Sequence, residues 1–209
     1  MEIRIVEPKV GKAFVDITGV TPLITNPKPP VEKLDGKPGV AERKEGKVAE
    51  FWQNVHWVEE PEGGPTTDVG VLAKGKWGFP AIAFKQSIVS GARFMEKMNM
   101  TTVRQGLFVL PDDIPSGLVV LEGPPPKLYE DIVRTAGIGR KASPRYRPMF
   151  EEWMGLLVVE YVESEFTPES IVQIVALGGK SGIGERRSTQ KVGDTYGRYA
   201  VVGARIVEG

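Results

Sequence analysis

Residues 77–110, WGFPAIAFKQSIVSGARFMEKMNMTTVRQGLFVL, decide how the rest of the chain is read. Pro80 suits a first helical turn, because its fixed φ matches the helix and its missing N–H would be unpaired there. Phe84, Ile88, Ala92 and Met95, followed by Met98 or Asn99, recur at steps of three and four and form an apolar stripe. Gln86, Ser90, Arg93 and Lys97 fall on another face. A turn then leads to Gly106–Leu110, an apolar strand on which the helix is expected to lie. Read alone, this is a core helix with a solvated polar side, a pattern that many α+β proteins share.

Upstream, Glu2–Val6 and Lys12–Val20 alternate well enough for strands. In the second, Ala13, Val15 and Ile17 share one side. The following GVTPLITNPKPPVEKLDGKPGV carries Pro22, Pro27, Pro29, Pro30 and Pro38, and reads as an irregular excursion from the sheet edge. A short helix is expected within Lys44–Trp57, and a short strand at Val69–Leu72.

Downstream, PDDIPSG is a turn cluster and Leu118–Leu121 a strand ended by GPPP. Arg134–Arg147, RTAGIGRKASPRYR, reads as a basic loop without an acid, and Gly155–Val162 is the clearest strand. Thr167 caps a helix opened by Pro168, with Glu169 favourable at the positive end of the dipole. Ile171, Ile174 and Val175 supply its buried side, and Gly178 or Gly179 is expected to stop it. Arg198–Val207 closes the sheet.

Stripped of excursions, the order is strand, helix, strand, strand, helix, strand. That pattern predicts an α+β, ferredoxin-like or RRM-like fold: an antiparallel sheet with two core helices on one face. The whole chain, residues 1–209, is expected to form a single domain with insertions at about 21–76 and 123–150, longer than ordinary connections.

With 27 basic against 27 acidic residues, net charge supplies no global attraction to nucleic acid or membrane, so any such preference must be local. The absence of cysteine excludes disulfides and thiolate metal sites. No apolar run approaches the ~20 residues of a membrane helix, and the first residues lack a signal-peptide core, so a soluble, cytoplasmic protein is the expectation.

Local chemistry concentrates between the second helix and the last strand, in LGGKSGIGERRSTQKVGDTYGRY, residues 177–199. Gly179, Gly182 and Gly184 permit close backbone approach or positive φ, and Lys180, Arg186, Arg187, Lys191 and Arg198 place cations among them. Backbone N–H groups with interspersed arginine suit a phosphate cradle, although a mobile surface loop has the same composition. GGKS is not a P-loop: the first glycine of that motif would fall on Ile174, and the segment follows a helix instead of opening one. Arg140, Lys141, Arg145 and Arg147, with Tyr146 interleaved, suit a surface for phosphates and bases, and equally a positive loop or a contact for a neighbouring subunit.

GGKSGIGERRS…YGRYAV resembles the glycine-rich loop of the RAMP superfamily, the repeat-associated proteins of CRISPR RNA-guided complexes. TGVTPLITN resembles that family's segment after its first strand, and FPAIAFKQSIVSGAR its first helix start, with Pro80, Lys85 and Arg93 at the matching places. The layout of RYRPMFEEW, strand, TPES and GIGERR also resembles uncharacterised phage-encoded proteins. The resemblance implies an RRM-like core that holds single-stranded nucleic acid, RNA more than DNA, through its glycine-rich loop and insertions. It implies no cofactor, and assembly as a homo- or hetero-oligomer in an RNA-guided or phage nucleoprotein complex. Lys85 and Arg93 would then border the same groove.

Family members that cut RNA use a histidine or an aspartate after the first strand. Here the lone histidine, His56, lies outside the matching motifs, and no aspartate follows PLIT until Asp35, so a non-catalytic role is expected. The paired aromatics of a standard RRM are missing as well. Glu59, Glu60 and Glu62, or Asp112 and Asp113, lack metal-loop spacing and read as solvated turn carboxylates. The alternatives are a structural assembly protein whose insertions clasp neighbours and, with least support, a RAMP-type endoribonuclease.

Overall fold

The structure, a computed structural model, describes residues 8–26, 46–96, 98–134, 142–188 and 194–207. The expected strand at Glu2–Val6 lies outside them, as do Lys97, Arg140, Lys141 and Lys191. Ten strands and five α-helices are described: β1 (Val10–Gly19), β2 (Leu23–Ile24), α1 (Lys47–Gln53), β3 (Trp57–Glu59), α2 (Val69–Leu72), β4 (Lys76–Pro80), α3 (Ala81–Gly91), α4 (Met100–Gly106), β5 (Leu107–Leu110), β6 (Leu118–Glu122), β7 (Lys127–Arg134), β8 (Ala142–Phe150), β9 (Met154–Val162), α5 (Pro168–Ser181) and β10 (Tyr199–Val207).

The fold is α+β with antiparallel pairing throughout. Strands β10, β1, β9 and β5 lie side by side in that order. Taking β1, α3, β5, β9, α5 and β10 as the six expected elements, the spatial strand order is 4-1-3-2, the ferredoxin-like arrangement. Burial alternates along β1, with Ala13, Val15 and Ile17 facing the helices and Lys12, Phe14 and Asp16 on the other face. Leu157, Val159 and Tyr161 do the same on β9. Over them pack Phe84 and Ile88 of α3 and Ile171, Ile174 and Val175 of α5, which together form the core.

Strand β6 is the continuation of β5. Both pair with β9 on one edge, Leu107↔Tyr161 to Leu110↔Val158 and then Leu121↔Gly155. Between them the chain leaves the ladder for the turn cluster, where Asp112 accepts from the Val120 N–H (2.8 Å) and Asp113 from the Ser116 N–H (3.1 Å). These carboxylates satisfy turn backbone. The strand then carries β4 and β3 outward as added edges.

Several expectations change. Pro80 ends β4, pairing with Leu118, and the helix begins at Ala81. The helix stops at Gly91, so Met95 and Met98 pack on the core from beyond it. The expected turn before β5 contains α4, capped by the Asn99 side chain, which accepts from the Thr101 N–H (2.8 Å). Val69–Leu72 is a helical turn because Asp68 accepts from the Val71 N–H (2.9 Å). Arg145 and Arg147 stand on β8, in a β7–β8 hairpin that joins β2 as a second sheet, instead of in a loop.

Gly178 and Gly179 do not stop α5, which continues to Ser181. A Cβ on Gly178 would sit 2.8 Å from the Ile88 Cα, and one on Gly179 would sit 2.0 Å from the Tyr199 carbonyl oxygen. The absence of side chains lets α5 press against α3 and β10. The stop is Gly182, at φ +73°.

Candidate nucleic-acid interface

Of the three stretches that carry the family resemblance, the first and the last are far apart in the chain, and backbone hydrogen bonds tie them together. Glu185 N–H donates to the Ile24 carbonyl (2.9 Å) and Gly197 N–H to that of Pro22 (2.7 Å). Thr21 Oγ1 donates to the Thr195 carbonyl (2.7 Å) and accepts from the Arg198 N–H (2.9 Å). The segment after β1 is therefore sewn onto the segment after α5. Gly184, at φ +75°, makes this approach possible, since a Cβ there would lie 2.5 Å from the Ile24 carbonyl oxygen.

Helix α3 stands across from that seam, and between them opens a cleft of about 870 Å³. Asn26 contributes from the first stretch, Lys85, Gln86, Ser90 and Arg93 from the second, and Gly182, Gly184, Glu185 and Arg187 from the third. Phe79, Val89, Met100 and Ile183 add apolar lining, and Arg104 of α4 adds a fourth cation. The face of α3 that the sequence marks as polar is thus the wall of the cleft.

Lys85 is half-buried, and its ammonium lies 4.3 Å from the Phe108 ring centroid. Burial, with repulsion from Arg104, holds its pKa below the usual lysine value. Two cations kept close with one partly desolvated suit an anion that neutralises both. Arg187 donates to the Gly184 carbonyl (2.5 Å), and the Asn26 amide donates to Glu185 (3.4 Å). His56 also lines the cleft, edge-on to Phe79 with ring centroids 5.3 Å apart. Burial lowers its pKa from 6.5 to about 4, so it is neutral at pH 7. It packs against Phe79 and reaches the cleft at the same time.

Other expected residues stand elsewhere. Arg186, at φ +57°, turns away to the β7–β8 hairpin, where it donates to the Tyr129 hydroxyl (2.8 Å) and faces Asp131 (3.4 Å) and Asp194 (3.6 Å). Arg147 is buried and paired with Asp131 at 2.6 Å, a structural ion pair. Arg145 faces Glu50 of α1 at 3.8 Å. Lys180 is exposed on the last turn of α5, and Arg198 precedes β10; neither lines the cleft. Gly179 lies buried in α5 against Tyr199, so it offers no loop backbone to a ligand. Lys191, Arg140 and Lys141 fall outside the described residues.

Sequence reasoning missed Arg104 and Asn26. Arg104 sits on a seven-residue helix, too short to show a period, whose only signal is the Asn99 cap. Asn26 ends the PLIT segment, and nothing local connects it to Glu185, 159 residues away. Among the described residues no cluster of three or more His, Asp or Glu could hold a metal ion, and no helix is long and apolar enough to cross a membrane.

No protein-family profile matches the chain, and no curated protein matches it in sequence. Among solved structures it is similar to a chain of the type III-B Cmr-beta bound to cognate target RNA, with 11% identity and a TM-score of 0.45. That likeness covers 96% of this chain but only 61% of the other. It is also similar to Cmr6 from Pyrococcus furiosus, with 12% identity, a TM-score of 0.42, and coverage of 93% and 98% respectively. Both likenesses are distant.

Proposed function

We propose that the chain binds single-stranded nucleic acid, RNA in preference to DNA, in the cleft between α3 and the segment after α5. The observation that carries this reading is convergence. Three stretches far apart in sequence, each resembling a RAMP motif, line one cleft with Lys85, Arg93, Arg104 and Arg187. Cations at the walls suit phosphates, and the apolar lining suits bases, a pairing typical of single-strand grooves. Lys180, exposed one residue before the cleft-lining Ser181, would extend the positive track. The chain would act as a non-catalytic subunit of a larger nucleoprotein assembly, RNA-guided or phage-borne, a role that follows from the resemblance.

The test is fluorescence anisotropy of a dye-labelled single-stranded RNA of about a dozen nucleotides at low salt. The wild-type chain should bind, and the Lys85→Ala/Arg93→Ala double variant should bind at least ~10-fold more weakly, since each lost phosphate contact removes a charge-assisted bond. No binding by the wild type, or equal binding by the variant, would sink the reading.

A second reading, a protein whose main task is assembly, is favoured by the open face of the sheet. Met154, Leu156 and Val207 are exposed there, on the face away from α3 and α5. Light scattering after nuclease treatment discriminates: defined oligomers free of nucleic acid favour assembly, and co-purifying nucleic acid favours binding.

A further inference from the structure

A groove that only tracked phosphates would need neither an apolar floor nor an acid. The cleft has both. Phe79 and Ile183 are almost wholly buried at its lining, Met100 is half-buried, and Glu185 lines it on the segment across from Lys85 and Arg93 of the α3 stretch. A carboxylate repels phosphate, so the strand's backbone must pass elsewhere, along the Lys85, Arg93 and Arg104 side. What a carboxylate and a primary amide accept well is the amino or imino edge of a base, and Asn26 and Glu185 stand together within 3.4 Å. The cleft is open on one side, and its volume of about 870 Å³ leaves room for a base.

We infer that the cleft seats an unstacked base of the bound strand, its ring over Phe79, Ile183 and Met100 and its polar edge toward Asn26 and Glu185, while the phosphates stay at the cationic wall. This rests on the binding reading above and deepens it: the ligand is a single strand with at least one base splayed out of its stack, and the site distinguishes a base from its absence. Glu185 and Asn26 are then specificity-determining, favouring a base with an exocyclic amino group over uracil or thymine, which lack one, at that position.

The experiment scans the labelled RNA with a single abasic residue moved along it one position at a time, using the full chain at fixed salt. One or two positions should each lose roughly 5- to 100-fold in affinity, as expected when a held base is removed, and the others less than about 2-fold. Ser90→Leu, which narrows the cleft from the half-buried side of α3, should abolish that positional penalty, so that the abasic position weakens binding no more than its neighbours do, whatever the overall affinity of the variant. Circular dichroism would verify that the variant folds, and Gln86→Leu, at an exposed cleft position, serves as a second variant if it does not. Salt-dependent binding with no privileged position would overturn the inference and leave phosphate binding standing. A penalty that persists in both variants would place the held base elsewhere and overturn it equally. Absence of any binding would overturn both readings together.

Discussion

Asp131 shows how a buried carboxylate can serve structure. Its carboxylate is buried between Arg147 at 2.6 Å and Arg186 at 3.4 Å. Removing one partner of a buried pair leaves the other charge uncompensated, which costs ~3–5 kcal/mol. Asp131→Ala should therefore lower stability by about 3 kcal/mol in urea unfolding, and a loss under 1 kcal/mol would mean that water reaches Arg147. His56 makes the opposite case, a half-buried group kept neutral. Its folded pKa of about 4 lies below the unfolded 6.5, so its contribution is full above pH 6.5 and is lost as pH falls toward 4. The His56→Gln variant should show a flatter loss of stability between pH 6.5 and 4 than the wild type, by up to ~3 kcal/mol at the acid end. Parallel curves for the two proteins would show that His56 is not the titrating group.

Helix α5 marks the boundary between what was legible in the sequence and what was not. Its start is written locally: Thr167 accepts from the Ser170 N–H (3.2 Å), Ser170 Oγ accepts from the Thr167 N–H (3.0 Å), and Pro168 opens the turn. Its end is not, because glycine signals both a helix stop and a close approach. Only the third dimension shows that Gly178 and Gly179 face Ile88 and Tyr199. Strand β8 hid in the same way. Pro144, Pro148 and two arginines read as loop, yet the Pro148 carbonyl accepts from the Thr25 N–H (3.2 Å), on the edge away from β7. Its missing N–H therefore costs the hairpin ladder nothing. By contrast β1, β9 and β10 alternate or run apolar over nine or ten residues, and their pairing into a 4-1-3-2 sheet follows from that pattern and the two amphipathic helices. The cleft was half legible: the polar face of α3 could be read, but Arg186 and Arg187, adjacent in sequence, point to different partners. Gly179→Ala tests the packing assignment. In a free helix the change gains up to ~1 kcal/mol, but a Cβ 2.0 Å from a carbonyl oxygen forces backbone to move, and overpacking of that kind costs ~1–3 kcal/mol. Net destabilisation is expected in thermal unfolding, and a stabilised variant would show that α5 and β10 lie farther apart.

At the scale of the whole molecule the charges cancel, 27 against 27, so no long-range field gathers nucleic acid toward the surface. Affinity must then come from the few cations that the fold brings to one place, and salt dependence counts them. For single strands, log Kobs falls with log salt at a slope of about −0.7 per phosphate neutralised. Lys85, Arg93 and Arg104 on one wall predict a slope near −2 for the wild type, steeper if Arg187 exchanges its present contacts for phosphate. Each of Lys85→Ala, Arg93→Ala and Arg104→Ala should flatten the slope by about 0.7. Arg147→Met should leave it unchanged where the protein stays folded, because that guanidinium is occupied by Asp131 inside the hairpin. The contrast separates cations gathered for a ligand from cations that hold the second sheet. If Arg104→Ala left the slope intact while Arg145→Ala reduced it, the strand would run over the β7–β8 hairpin, and the cleft would not be its path.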